Sequence, residues 1–310
     1  MRRRDSRPSV LKVVEERRAQ RDASRSHPLA ALRDRGIRVL ADAGVPTPEA
    51  DAELLLAHTL GISRGQVQAK AVTGSAVTDD EHAAFLAALE RRAAREPLQH
   101  ITGVAPFRSL ELAVGPGVFV PRPETEFVAQ LAIDALLAVA SPEPVAVDLG
   151  TGSGALALAL ATEVPHAQVF AVERSAEAHA WAERNIRSSG AGNVRLVLGD
   201  LADALPELDG EVDVVVSNPP YVPDDAIPRD LEVRLHDPAT ALYGGPDGLD
   251  VVRVLSRRAR ALLRPGGALI VEHGELQGAA MRELLTLDGW RAAATHRDLL
   301  GRDRVTTALR

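Results

Sequence analysis

The chain has 310 residues, 45% of them hydrophobic and 25% charged, which is ordinary for a globular protein and enough for two domains with buried cores. It has no cysteine, which excludes a disulfide framework and thiolate chemistry and fits a reducing cytoplasm, and no apolar run reaches the roughly 18 residues of a membrane helix, so no membrane role is expected. A formal net charge of −7 argues against a reader of nucleic acid; only Lys12 and Lys70 are lysines, so the arginines read as a compositional bias rather than as phosphate ligands.

The first residues, "MRRRDSRPSV" onward, are Arg-rich but also acidic and lack an apolar stretch, which reads as a solvated or partly helical tail over 1–28 rather than a targeting peptide. Residues 29–97 read as a small unit of about four helices. Leu29, Leu32, Ile37 and Leu40 share one face of the first helix, which Gly44 ends. The next opens with Thr47 as cap and Pro48 in its first turn, and a third opens at Thr78 with Glu81 three residues on, the spacing of a capping box. Residues 98–120, "LQHITGVAPFRSLELAVGPGVFV", alternate and are broken by Gly and Pro, which predicts a β-hairpin linker. A helix follows two prolines in "PRPETEFVAQLAIDALLAVA".

From Val145 strands and helices alternate. Strands are predicted in "VAVDLG", "AQVFAVE", "VRLVLGD", "VDVVVSN" and "ALIVEHG", with two more at 290–296 and 303–309. Helices are predicted in "GALALALATEV", "AEAHAWAERNIRSSG" and "LDVVRVLSRRARALLRPGG". This order predicts a parallel α/β sheet with helices on both faces.

Ligands of such sheets sit at the carboxyl ends of the strands. "DLGTGSGAL" turns from the first strand into a helix, and Gly150, Gly152 and Gly154 allow a tight turn and a close approach of backbone to ligand. The loop fits a dinucleotide site as well as S-adenosylmethionine, or a purely structural turn. Glu173, at the end of the second strand, can accept both hydroxyls of a ribose; its alternative is a helix-capping Glu. Asp200 ends the third strand, where a turn Asp and a contact on the adenine side are about equally good readings.

The fourth strand ends in "VVVSNPPYVP". An NH2 group offers two donors; the Asn218 side-chain oxygen can accept one and the Pro219 carbonyl the other. The fixed φ of Pro219 and Pro220 stiffens the loop, and Tyr221 can stack on a flat acceptor and exclude water. The stretch therefore reads as a receptor for a planar nitrogen, either the exocyclic amine of a base or a carboxamide. The bland alternative is a Pro-rich turn. His58, His82, His166 and His179 read as surface or packing residues, His273 as a candidate support of the site, and no metal site is expected.

Together "PLQHITG", "VFVPRPETE", "DLGTGSGALALALA", "VSNPPYV" and "DLLGRDRVTTALR" resemble the HemK/PrmC family, the glutamine methyltransferases that act on bacterial peptide chain release factors, over roughly residues 29–310. The Asn-Pro-Pro-Tyr stretch alone is shared with adenine-specific DNA methyltransferases; Pro121 to Glu126 separate the two. The resemblance implies an α/β class I S-adenosylmethionine-dependent methyltransferase domain at 121–310, with a Rossmann-like seven-stranded sheet, and a helical substrate-recognition domain. It implies S-adenosylmethionine held by Asp148, Leu149, Gly150, Thr151, Gly152, Glu173 and Asn218, bordered by Asp200 and Leu201 and walled by Phe119, Pro121, Arg122 and Thr125. It implies a substrate glutamine, in the Gly-Gly-Gln loop of a class I release factor, held by Asn218, Pro219, Pro220 and Tyr221, with Asn218, Pro219 and Tyr221 as the catalytic set. The sequence departs from the family pattern at Glu173, where Asp is common, at His100, where Tyr is common, and at Asp237, which stands near a usual Glu. A ribosomal-protein glutamine methyltransferase and a nucleic-acid adenine amino-methyltransferase are the alternatives. A monomer with no nucleic-acid partner is expected.

Overall fold

The structure, a computed structural model, describes residues 27–310, so the tail expected over 1–28 lies outside the described residues apart from His27 and Pro28. These two form β1 (His27–Pro28), paired antiparallel with β2 (Ala76–Val77). The described chain divides after Thr102 into two units, each with its own core.

The first unit is helical: α1 (Leu29–Asp42), α2 (Pro48–Leu60), α3 (Arg64–Val72), α4 (Asp79–Ala93) and α5 (Leu98–Thr102). Leu29, Leu40, Leu55, Leu56 and Phe85 are its largest buried side chains. The Thr78–Glu81 capping box is formed. Thr47 does not cap α2; its hydroxyl donates instead to Asp51 at 2.8 Å, and Asp51 also receives Arg92 Nε at 2.7 Å. Both members of that ion pair are buried, so each needs the other to offset its desolvation. A second capping box, Ser63 with Gln66, starts α3 and has the Ser-x-x-Gln spacing that marks a helix start.

The segment expected as a hairpin linker over 98–120 divides. Leu98–Thr102 is helical, and only β3 (Val104–Phe107) and β4 (Leu110–Ala113) pair as a hairpin, with Val104 opposite Ala113. The second unit continues with α6 (Thr125–Leu137), β5 (Val145–Leu149), α7 (Ala155–Glu163), β6 (Gln168–Glu173), α8 (Ala176–Ser189), β7 (Val194–Leu198), β8 (Val212–Ser217), α9 (Leu231–His236), α10 (Ala239–Leu242), α11 (Asp250–Leu262), β9 (Leu263–Glu272), α12 (Gly278–Leu287), β10 (Arg291–Arg297) and β11 (Asp303–Leu309). Seven strands form one sheet in the order β10-β11-β9-β8-β5-β6-β7.

The sheet is mixed rather than wholly parallel: β11 runs antiparallel to both β9 and β10. The short turn between β10 and β11 leaves no room for the crossover that parallel strands need. The last long helix also ends earlier than predicted, at Leu262. Pro265 has no N–H to continue a helix, and Leu263 already pairs with Val212 of β8.

Strand alternation divides the core into two layers. Ala146, Val214, Val216 and Ile270 pack with Val128, Ala132 and Leu136 of α6 and Leu156 and Leu160 of α7. Val147, Leu149, Val215, Leu269 and Val271 pack with Val252, Leu255 and Leu262 of α11 and Met281 and Leu285 of α12. With both faces covered, every residue of β8 is buried, which is why its centre, Val214–Val216, is an unbroken apolar run.

Candidate active site

A cleft of about 920 Å³ opens in the second unit at the carboxyl ends of β5, β6, β8 and β9. The chain leaves β5 on one side toward β6, while β8 lies on the other, so the cleft sits where the strand order reverses.

Its floor is the glycine loop. The N–H groups of Gly150 and Thr151 both reach the Val172 carbonyl at 2.9 Å, which folds the loop back over β6. Gly150 and Gly152 have φ of +78° and +58°, and a side chain at either would meet no atom within 4 Å. Glycine is therefore required by the left-handed backbone, and the bare chain faces the cleft. Beneath the loop, Asp148 is fully buried; its Oδ2 accepts the Thr151 hydroxyl at 2.5 Å and the Ala157 N–H at 3.1 Å. Burial pushes its carboxyl up to about 7, against those two hydrogen bonds and with help from nearby Glu173. Asp148 Oδ1 takes no hydrogen bond among the described residues.

Glu173, at the tip of β6, accepts the Gly152 N–H at 2.9 Å and the Ser175 N–H at 2.8 Å, one on each oxygen. Each oxygen keeps a lone pair for a further donor. One wall is carried by the segment after the hairpin. Asn185 of α8 grips Ala113 through both its N–H and its carbonyl and also donates to the Ser153 carbonyl at 2.9 Å, tying this segment to the glycine loop. The Arg122 guanidinium lies 5.0 Å over the Phe119 ring and donates to Asp237 at 2.6 Å, so the residue that departs from the family pattern anchors this wall.

At the other end, the Ser217 hydroxyl donates to the Leu149 carbonyl at 2.6 Å and sets the end of β8 beside the glycine loop. Asn218 Nδ2 donates to Thr125 Oγ1 at 3.3 Å, Thr125 Oγ1 donates to Glu272 Oε2 at 2.8 Å, and the Tyr221 hydroxyl donates to Glu272 Oε1 at 3.3 Å. Asn218 Oδ1 takes no hydrogen bond among the described residues. The Tyr221 hydroxyl is held well above its usual range by burial and by the Glu272 charge. The backbone of this stretch is buttressed from behind: Gln277 donates to the Tyr221 carbonyl at 2.9 Å, and Val222 exchanges backbone hydrogen bonds with Leu242 and Gly244.

Of the residues predicted for the site, Leu149, Gly150, Thr151, Gly152, Glu173, Asp200, Leu201, Phe119, Pro121, Arg122, Thr125, Asn218, Pro219, Pro220 and Tyr221 all line the cleft, while Asp148 supports the loop from beneath. Asp200 also accepts the Ala202 N–H at 2.9 Å, as a turn Asp does. His273 is buried away from the cleft lining; its Nδ1 faces the Gly274 carbonyl and so carries the proton, and Nε2 accepts from Thr306. Burial lowers its pKa and keeps it neutral, a tie between β9 and β11. Its neighbour Glu272 and Arg304 do line the cleft and were not singled out from sequence. Alternation could have found Glu272, since it shares the strand face of Ile270.

The cleft fits S-adenosylmethionine: bare backbone for the close approach, the Glu173 carboxylate for ribose hydroxyls, and a buried carboxylate oxygen of Asp148 without a donor. Among the described residues no helix is long and apolar enough to cross a membrane.

Comparison with known proteins shows the family. The PrmC N-terminal domain family matches residues 31–103, and the methyltransferase small domain family matches residues 110–285. A release factor glutamine methyltransferase of Streptomyces coelicolor is 52% identical over 87% of this chain and 93% of its own length. A 4-amino-L-phenylalanine/4-methylamino-L-phenylalanine methyltransferase of Streptomyces pristinaespiralis is 38% identical over 86% of this chain and 90% of its own. In fold, the chain is similar to a 16S rRNA N2 G1207 methyltransferase of Thermus thermophilus, solved with AdoMet and guanosine, at a TM-score of 0.50 and 23% identity over 67% of this chain and 49% of that one. On the matched length and identity, the chain belongs to the release factor glutamine methyltransferase family and is an S-adenosylmethionine-dependent methyltransferase.

Proposed function

We propose that the protein methylates the side-chain amide nitrogen of the glutamine in the Gly-Gly-Gln loop of a bacterial class I peptide chain release factor. The observation that carries this reading is Asn218 Oδ1, which takes no hydrogen bond among the described residues and lies in the cleft beside Pro219, so that it and the Pro219 carbonyl offer two acceptors for the two hydrogens of one NH2 group.

Leu149, Gly150, Thr151, Gly152, Glu173 and Asn218 would hold the cofactor, with Asp200 and Leu201 on its adenine side, Phe119, Pro121, Arg122 and Thr125 as its wall and Asp148 beneath. S-adenosylmethionine supplies an electrophilic methyl group on a sulfonium. The chain's part is to make an amide nitrogen reactive and to hold it. An amide lone pair is delocalised into its carbonyl, and hydrogen bonds from both N–H groups to Asn218 and Pro219 return electron density to nitrogen. The same bonds fix where the nitrogen points, and the one proton that the nitrogen must lose on methylation would pass to solvent. The Pro219–Pro220 backbone limits drift, and the Tyr221 ring stacks on the planar amide and excludes water. Glycines on either side of the acceptor allow its loop to enter a narrow slot.

To the helical unit, which has its own core, we assign the docking of the release factor body. A release factor as acceptor supports a reaction in the cytoplasm, on a protein rather than a nucleic acid.

The test is a panel of acceptors with labelled cofactor: a purified release factor, ribosomal proteins, an oligonucleotide and free 4-amino-L-phenylalanine. Label entering the release factor with a kcat/KM at least 100-fold above every other acceptor is expected. Preferential transfer to another member of the panel would overturn the substrate assignment.

A further inference from the structure

The hydrogen bonds behind Asn218 have a direction, and Glu272 sets it. Asn218 can present either Oδ1 or Nδ2 to the acceptor slot by turning its amide over, and only one choice accepts a hydrogen from an NH2 group. Thr125 has one hydroxyl hydrogen, and it goes to Glu272 Oε2 at 2.8 Å. Its oxygen is then an acceptor toward Asn218, which must offer Nδ2, at 3.3 Å, and so leaves Oδ1 for the substrate. A carboxylate can only accept; the chain keeps this direction while Glu272 is ionised. Once protonated, Glu272 can donate to the Thr125 oxygen. Thr125 then turns its hydrogen toward Asn218, the amide rotates to meet it, and Nδ2 faces the substrate's own N–H groups.

We infer that Glu272 is a positioning residue for the transfer: its ionised carboxylate, acting through Thr125, orients the Asn218 amide so that the acceptor slot can receive an NH2 group. This rests on the reading of Asn218 as a hydrogen-bond acceptor for the substrate amide. Glu272 is 2% exposed, and the groups facing it come from every side of the site: Thr125 and Glu124 at the start of α6, Tyr221 after β8, and Arg304 on β11, with neutral His273 next in the chain, just past the end of β9. Burial pushes the carboxyl up to about 7 and Glu124 adds to this, while Thr125, Arg304 and Tyr221 pull it down. The balance puts its titration inside the working range of an enzyme, with the ionised form as the competent one.

The test is the pH profile of kcat on release factor at saturating cofactor, with S-adenosylhomocysteine affinity and thermal melting as checks on folding. The wild type is expected to lose about tenfold in kcat per pH unit below an apparent pKa near 7. Glu272→Gln keeps a carbonyl for Thr125 and cannot ionise; its profile is expected to be flat from pH 6 to 8, roughly tenfold below the wild-type plateau. Thr125→Val, which removes only the relay hydroxyl, is expected to lose kcat on the order of tenfold, and Thr125→Ser to restore it, both with S-adenosylhomocysteine binding retained. An acid limb that survives in Glu272→Gln, or equal kcat in the Val and Ser variants, would overturn the inference. A wild type that binds S-adenosylhomocysteine but leaves release factor unmodified would instead overturn the substrate reading on which it rests.

Discussion

Asn218 and Tyr221 do separable work. Asn218→Ala removes an acceptor that tightens as the nitrogen gains positive charge, so kcat at saturating cofactor is expected to fall on the order of 10²-fold or more, with an unchanged melting curve. Near-normal turnover would remove Asn218 from the mechanism. Tyr221→Ala is expected to cost far more than Tyr221→Phe, because the ring carries the stacking. The hydroxyl has a subtler effect: its 3.3 Å bond to Glu272 favours the ionised carboxyl, so Tyr221→Phe is expected to move the acid limb of the profile to higher pH with little change in the plateau. Asn218 and Glu173 were legible in the sequence because polar residues at the carboxyl ends of apolar strands have few structural reasons to be there. The relay was not, because Thr125 and Glu272 are 147 positions apart and nothing local in either segment announces the pairing.

Among the elements, the turn from Tyr243 to Asp250 is the one on which the Asn-Pro-Pro-Tyr stretch depends most. A side chain at Gly244 would come within 2.5 Å of the Pro220 carbonyl, and one at Gly248, with φ +75°, within 2.2 Å of the Tyr221 carbonyl. Gly248→Ala must therefore displace Tyr221 and strain its own backbone, and a shift of this kind near the reacting atoms is expected to lower kcat by about 10²-fold. Steady-state kinetics beside a melting curve check this; an unchanged kcat would show that the turn does not set the slot. The glycine loop, the strands and the Thr78 cap were readable because each rests on chemistry within a few residues. The helix α12 and the antiparallel β11 were not assigned, since a ten-residue helix carries a weak periodic signal and strand direction depends on the connecting turn. The start of β9 was read as helix because the apolar residues of α11 run on into Leu263, and only Pro265 hints at the change.

In the whole molecule, cofactor chemistry and acceptor slot belong to one unit with a two-layer core, while the helical unit has a separate core built around Leu29, Leu40, Leu55 and Phe85. That division was visible in the sequence as a change from helical periodicity to strand–helix alternation, although the segment from 98 to 120 had to be divided between a helix and a hairpin. The identity of the acceptor as a glutamine in a release factor is the claim that joins the two units into one function. Peptide mapping by tandem mass spectrometry, after a release factor has been incubated with the protein and S-adenosylmethionine, tests it most directly. The predicted result is a single methyl group on the side-chain nitrogen of the Gly-Gly-Gln glutamine, absent when Asn218→Ala replaces the wild type. A methyl group on any other residue, or an unmodified release factor in the presence of folded, cofactor-binding protein, would contradict it.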